Sequence, residues 1–243
     1  MRQDVFEIVS NRNLAPNVYE MVLRGSSTGD CTPGRFVQLK MDSFYLRRPI
    51  SVCDAEEGKL TLVYKTVGRG TEAMAQYESG KRIDVLTGLG NGYDLDKSGD
   101  RPLLIGGGAG VPPMYLLTRR LLAQGKQPTV ILGFNKAEEI FYEEQFRALG
   151  IETIIATADG SVGVKGFVTD AMEGLNYTYT YACGPEPMLK AVYNRAATSG
   201  EYSFEERMGC GFGACMGCSC KTKYGSKRIC KDGPVLTKEE IVW

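Results

Sequence analysis

The chain has 243 residues, with 29 Lys and Arg against 29 Asp and Glu, and no histidine. Zero net charge excludes a globally basic surface for nucleic acid and a polybasic membrane anchor. Without histidine the chain loses the commonest general base, any His-ligated metal and every Ser–His or Cys–His nucleophile pair, so its chemistry must come from bound cofactors.

From Val5 to about Val85 the pattern is that of short strands: VFEIVS, VYEMVLRG, GRFVQLKM, PISVCDA, KLTLVYKTV and RIDVL, separated by Gly, Pro, Asn or Asp. In KLTLVYK, Leu60, Leu62 and Tyr64 alternate with Lys59, Thr61, Val63 and Lys65. Six such strands, interrupted by a short helix at about Thr71–Tyr77, predict a small antiparallel barrel. From Arg101 the period changes. PLLIGGG reads as an apolar strand, followed by a helix over PPMYLLTRRLLAQG with Met114, Leu117 and Leu121 on one face. Strand TVILGF, helix EEIFYEEQFRALG, strand ETIIATA, helix GFVTDAMEG, strand YTYAC and helix EPMLKAVYNRAATSG complete an alternation. That alternation predicts a parallel sheet with helices on both faces. The longest uncharged run, Pro102–Thr118, is just short for a membrane span and holds three prolines and four glycines. With no signal peptide evident, the sequence reads as cytoplasmic.

The segment from Ser203 carries the most specific signal. Cys210, Cys215, Cys218 and Cys230 are spaced C-x4-C-x2-C-x11-C and interleaved with Gly209, Gly211, Gly213 and Gly217. This is the plant-type [2Fe–2S] ligand pattern, in which a loop supplies three thiolates and a returning segment the fourth. The glycines let the loop take positive φ and turn N–H groups toward inorganic sulfide. Zinc usually takes paired C-x2-C knuckles, and only one such pair is present. Cys220 is a substitute for Cys218 that the x2 spacing disfavours. Cys31 and Cys53 read as small buried side chains.

Other motifs fall at strand ends. In Leu46-Arg47-Arg48-Pro49-Ile50-Ser51 an arginine can grip a pyrophosphate bidentately and a serine can bond a ring nitrogen. Val63-Tyr64-Lys65 and Gly70-Thr71, the latter opening a helix, follow at a suitable distance. Gly106-Gly107-Gly108-Ala109-Gly110-Val111-Pro112-Pro113 joins strand to helix but does not fit G-x-G-x-x-G. Cys183-Gly184-Pro185-Glu186-Pro187-Met188 and Thr157-Ala158-Asp159-Gly160-Ser161 end two further strands. Ligands of open α/β sheets collect at such carboxyl ends.

LRRPIS, GGGAGVPP and CGPEPML, in this order, resemble the ferredoxin–NADP reductase superfamily. The tail, CGFGACMGCSC followed by RICKDGPV, is similar to one branch, the electron-transfer subunits of type B dihydroorotate dehydrogenases. The resemblance implies a β plus α/β fold. Residues 1–99 would form an antiparallel six-stranded flavin-binding barrel, 100–202 a parallel-sheet NAD-binding domain and 203–243 a small [2Fe–2S] cluster segment. Arg48, Pro49, Ile50, Ser51, Val63, Tyr64, Lys65, Gly70 and Thr71 would hold FAD. Gly106, Gly107, Gly108, Ala109, Gly110, Val111 and Pro112, with Cys183, Gly184, Pro185 and Glu186, would line the NAD site. Asp159 would favour NADH by repelling a 2′-phosphate. Leu89-Gly90-Asn91-Gly92 would lie at the flavin edge, and no catalytic acid or base is required. The implied partner is an FMN-containing dihydroorotate dehydrogenase catalytic subunit in a heterotetramer of two plus two chains, with no nucleic acid and no membrane. A reductase serving a hydrogenase or a ferredoxin system, and a zinc-stabilised interaction module without redox activity, stay open at this stage.

Overall fold

The computed structural model describes all 243 residues. In chain order, β1 (Arg2–Ala15), β2 (Val18–Arg24), β3 (Phe36–Leu39), β4 (Arg48–Glu56), β5 (Lys59–Lys65) and β6 (Arg82–Leu89) close an antiparallel barrel in the order β1-β2-β5-β4-β3-β6, with helix α1 (Arg69–Ala75) between the last two. The period-2 alternation decides which side chains fill it. Val37 and Leu39 point into a core with Phe6, Met21, Leu60 and Leu62, whereas Phe36 belongs to the core outside the barrel, beneath the tail. Each fully buried Leu or Phe stabilises the barrel by ~1.5–3 kcal/mol.

The second half comprises β7 (Pro102–Gly107), α2 (Val111–Ala123), β8 (Thr129–Phe134), α3 (Glu143–Arg147), β9 (Glu152–Thr157), β10 (Val164–Lys165), β11 (Tyr179–Cys183), α4 (Glu186–Arg195) and β12 (Gly200–Ser203). The tail adds the hairpin β13 (Ser219–Thr222) and β14 (Gly225–Arg228), the short helix α5 (Ile229–Asp232) and β15 (Val235–Thr237). The large sheet runs β10-β9-β8-β7-β11-β12-β15, parallel except for β15. Successive strand residues serve opposite faces. Leu104, Val130 and Leu132 pack toward α2 and the barrel, while Leu103, Ile105 and Ile131 pack with Leu189 and Val192 of α4.

Two of the expected helices differ. EEIFYEEQFRALG forms a 3₁₀ turn at Ala137–Glu139 and then α3 alone, because Tyr142 takes φ 65° and breaks the run. That break lets Phe141, Tyr142 and Phe146 all enter the core beside α2, and the Tyr142 hydroxyl donates to Glu20 of the barrel at 2.7 Å. GFVTDAMEG forms no α-helix, only successive turns bonded three residues apart. Gly166 and Gly174 both hold positive φ at its ends. The stretch between them is too short to repay helix nucleation, yet Val168, Ala171 and Met172 are buried.

The tail is stitched to the body more closely than an appendage would be. β15 extends the large sheet, pairing antiparallel with β12. The Asn91 N–H donates to the Gly233 carbonyl at 2.7 Å. Its side chain both donates to the Val235 carbonyl at 2.7 Å and accepts from the Val235 N–H at 3.1 Å. The Leu89–Gly92 loop is therefore a clasp for the tail, standing behind the cavity walls Phe36 and Pro234, which Gly90 touches. Trp243 packs within its own chain, on Phe204 and Tyr193 with ring centroids 5.5 and 5.8 Å away. Barrel and sheet are joined at α2: Arg119 pairs with Asp54 at 2.5 Å and with Glu56 at 2.9 Å.

Candidate functional site

The first cavity, about 350 Å³, lies where the barrel meets the sheet and the tail. The start of β4 supplies Arg48, Pro49, Ile50 and Ser51, the end of β5 supplies Val63, Tyr64 and Lys65, and Thr71 comes from α1. Phe36, Ala109, Cys183 and Ser203 close it from the other side, and the tail adds Phe204, Met208 and Pro234. The two adjacent arginines have different duties. Arg47 is spent on the barrel, pairing with Asp84 at 2.9 Å and donating to its backbone carbonyl. Arg48 pairs with no carboxylate; its guanidinium lies 4.8 Å over the Phe44 ring and donates to the Leu46 carbonyl. It also crosses directly over Gly70, where a Cβ would stand 2.0 Å from Nε. Gly70 is thus needed for the close approach, and Arg48 keeps donors free for an anion. Thr71 braces the same turn, donating to the Gly68 carbonyl and accepting from the Val67 N–H. This set fits a flavin diphosphate.

The second cavity, about 580 Å³, opens at the carboxyl ends of the sheet strands. Gly107, Gly108 and Ala109 line it, with Pro185 and Met188 on one side and Gly133, Phe134 and Asn135 on another. The remaining glycines of the run do a packing job. A Cβ on Gly106 would stand 2.8 Å from Val111 Cα, and one on Gly110 would lie 2.1 Å from the Cys183 carbonyl oxygen. Val111 is fully buried, and Pro112 lines a small crevice with Ala109 and Phe141. Gly184 presses against Met188. Cys183 faces the first cavity, and the exposed Glu186 lines neither. Asp159 stands on the rim beside the lining residue Ala158. Its carboxylate accepts from the Ser161 N–H and hydroxyl, which hold it below the usual carboxylate range. The sequence reading missed Phe167, which is 70% exposed and lines this cavity; the helix expected over 166–174 concealed it. Lys65 and Ala109 line both cavities, so a flavin ring and a nicotinamide would meet there.

The cysteine loop carries positive φ at Gly211 (76°), Gly213 (91°) and Met216 (63°). The turns aim N–H groups at sulfur. Cys210 Sγ accepts from Ala214 at 3.2 Å and Cys215 at 3.4 Å, Cys215 Sγ from Gly217 at 3.5 Å, and Cys218 Sγ from Cys230 at 3.4 Å. Burial works against ionising Cys210, but the N–H groups outweigh it and bring the thiol down to about 6. Burial and the neighbouring Cys218 push Cys230 up. Backbone bonds tie the thiols two by two, the Cys215 N–H to Cys210 Sγ and the Cys230 N–H to Cys218 Sγ. A [2Fe–2S] centre takes two thiolates on each of its two irons. Cys220 lies on the β13–β14 hairpin, opposite Lys227 and outside both pairs.

Comparison with known proteins agrees with this geometry. Residues 205–242 match the iron–sulfur cluster binding domain of dihydroorotate dehydrogenase B, and 104–194 match the oxidoreductase NAD-binding domain. The dihydroorotate dehydrogenase B (NAD⁺) electron transfer subunit of Bacillus pumilus is 44% identical over 99% of this chain and 98% of its own length. The subunit of the same name from Lysinibacillus sphaericus is 44% identical over 99% of each. The chain belongs to the dihydroorotate dehydrogenase B electron transfer subunit family. Among solved structures, a chain of an NADH-dependent reduced ferredoxin–NADP oxidoreductase, described for flavin-based electron bifurcation, superposes with TM-score 0.90. It has 29% identity over 98% of this chain and 90% of that one. Phthalate dioxygenase reductase shares the fold, with TM-score 0.67 and 18% identity over 83% of this chain and 69% of that one. Family membership makes the chain an oxidoreductase subunit using FAD, NAD and an iron–sulfur cluster, which displaces the zinc-module alternative.

Proposed function

We propose that the chain takes electrons singly from the FMN of a dihydroorotate dehydrogenase catalytic subunit, through a [2Fe–2S] centre and FAD, and delivers them as hydride to NAD⁺. The observation that carries this reading is continuity. The cluster loop rests on β3 through Gly211 and Gln38, β3 also supplies Phe36 to the flavin cavity, and that cavity shares Lys65 and Ala109 with the nucleotide cavity. FAD, when bound, couples one-electron and two-electron transfer.

The chain's own residues position rather than react. Arg48 grips the flavin pyrophosphate across Gly70, with Thr71 bracing the turn. Pro49, Ile50, Ser51, Val63, Tyr64 and Lys65 wall the ring. Gly107, Gly108 and Ala109 admit the dinucleotide closely, and Pro185 and Met188 shield the hydride path from water. Cys210, Cys215, Cys218 and Cys230 hold the irons. Asp159 repels a 2′-phosphate, giving a preference for NADH that kcat/KM for the two dinucleotides with a dye acceptor will test. The catalytic subunit docks over the outward side of the cluster loop. Ala214–Gly217 are exposed there, Met216 at 56%, and are flanked by Phe212 at 45% and Tyr224 at 78% exposure. The domain limits are 1–99, 100–202 and 203–243, and the complex is a cytoplasmic heterotetramer of two plus two chains. No helix of the chain is long and apolar enough to cross a membrane.

A reductase for a ferredoxin-type partner is the second reading, favoured by the 0.90 superposition on the ferredoxin–NADP oxidoreductase chain. Analysis of the purified protein tests the shared core of both. One FAD, two irons and two sulfides per chain are expected, and tightly bound zinc in place of iron overturns it.

A further inference from the structure

We propose that Gln38 completes the cluster site from the barrel side, its carboxamide donating an N–H hydrogen bond to a sulfur of the centre and raising that centre's reduction potential. The inference deepens the reading of the four cysteines as iron ligands and rests on it.

Gln38 lies mid-strand in β3 and is 1% exposed, yet neither Nε2 nor Oε1 has a hydrogen-bond partner. Leaving such a group unmatched forfeits its hydration with nothing gained in return. The barrel does not require the amide: Val37 and Leu39 fill the interior, and the outward neighbour Phe36 is apolar. The strands beside it offer Pro49 and Leu86 opposite, with no side-chain acceptor. The amide is aimed at the cysteine loop instead. A Cβ on Gly211 would stand 1.7 Å from Nε2 and 3.0 Å from Oε1, so the loop reaches Gln38 only because residue 211 has no side chain and holds φ 76°. Gly211 follows Cys210 directly, and the Cys210 sulfur is already the focus of two backbone N–H groups. The unmatched donors of Gln38 thus lie against the loop residue next to Cys210 and have no partner in the chain itself, and the acceptor proposed for them is a sulfur of the iron-loaded centre. N–H bonds to such sulfurs raise cluster potentials by stabilising the more negative, reduced state.

Gln38→Met keeps the length of the side chain and removes both donors and acceptor. In the holoprotein it should lower the midpoint potential of the cluster, shift its EPR g-values and hasten its loss to a chelator, with the FAD potential unmoved. Without the cluster, Gln38→Met should be at least as stable as wild type, because it removes an unmatched buried amide. Gln38→Glu, which offers an acceptor and no ionised-state donor, should lower the potential further. A variant that retains FAD and wild-type thermal stability but cannot keep its cluster also supports the assignment. A loaded Gln38→Met protein with wild-type potential and EPR spectrum overturns it while leaving the four-cysteine reading intact. A wild-type protein without iron overturns both.

Discussion

Asn91→Ala separates the tail from the body at one side chain. In the native chain Asn91 satisfies both the N–H and the carbonyl of Val235, at 3.1 and 2.7 Å, and Val235 itself is 4% exposed. A net hydrogen bond contributes ~0.5–1.5 kcal/mol. Asn91 is itself exposed, so the low end applies and the pair should cost about 1–2 kcal/mol. At ~2–4 °C per kcal/mol for a chain of this size, Tm should fall by ~2–8 °C. The effect should be local first, because β15 holds only β12 and the clasp. The cluster should therefore be lost to a chelator several-fold faster, with a smaller rise in FAD dissociation through Pro234, which the tail lends to the flavin cavity. Thermal unfolding, together with visible absorbance during chelation, measures both. A Tm within 1 °C of wild type and an unaltered cluster-loss rate would refute the clasp.

Arg48→Ala should release FAD while leaving the apoprotein fold intact, whereas Arg47→Ala should destabilise the barrel by ~1 kcal/mol and keep FAD; flavin content and urea midpoints distinguish them. Cys215→Ser or Cys230→Ser should abolish the [2Fe–2S] spectrum and Cys220→Ser should preserve it; loss in Cys220→Ser with retention in Cys218→Ser reverses the assignment. Burial works against ionising Asp84, but the bonds from Arg47 and Gln3 outweigh it and lower its pKa. Its contribution is therefore present above the unfolded value near 3.8 and lost as pH falls through the folded one. Asp84→Asn should lower stability at pH 7, and the difference from wild type should shrink progressively as pH falls below 3.8, as denaturation over a pH series will show.

Much of this organisation is legible in residue pattern. Alternation in KLTLVYK follows from a barrel wall, and the cysteine and glycine spacing follows from a loop that must curl round sulfide. What is illegible depends on distant contacts. Nothing local marks Tyr142 as the left-handed residue that splits a helix; its hydroxyl is drawn to Glu20, more than a hundred residues away in the chain. Arg47 and Arg48 are equivalent as letters and are sorted only by Asp84 on β6. Gln38 reads as one residue of a strand until Gly211 is folded against it. The β15 segment is too short to register as a strand and is stabilised by the β12 edge it finds.

We propose that this chain links a dihydroorotate-oxidising flavin subunit to NAD⁺. Reconstitution of the FAD- and iron-loaded chain with an FMN-containing catalytic subunit, following dihydroorotate-dependent NADH formation, tests it most directly. The isolated chain should pass electrons from NADH to a dye but leave dihydroorotate untouched, and NADH formation from dihydroorotate should begin only when both subunits are present. Dihydroorotate oxidation by the isolated chain, or failure of any FMN-containing partner to bind it and restore the reaction, would contradict it.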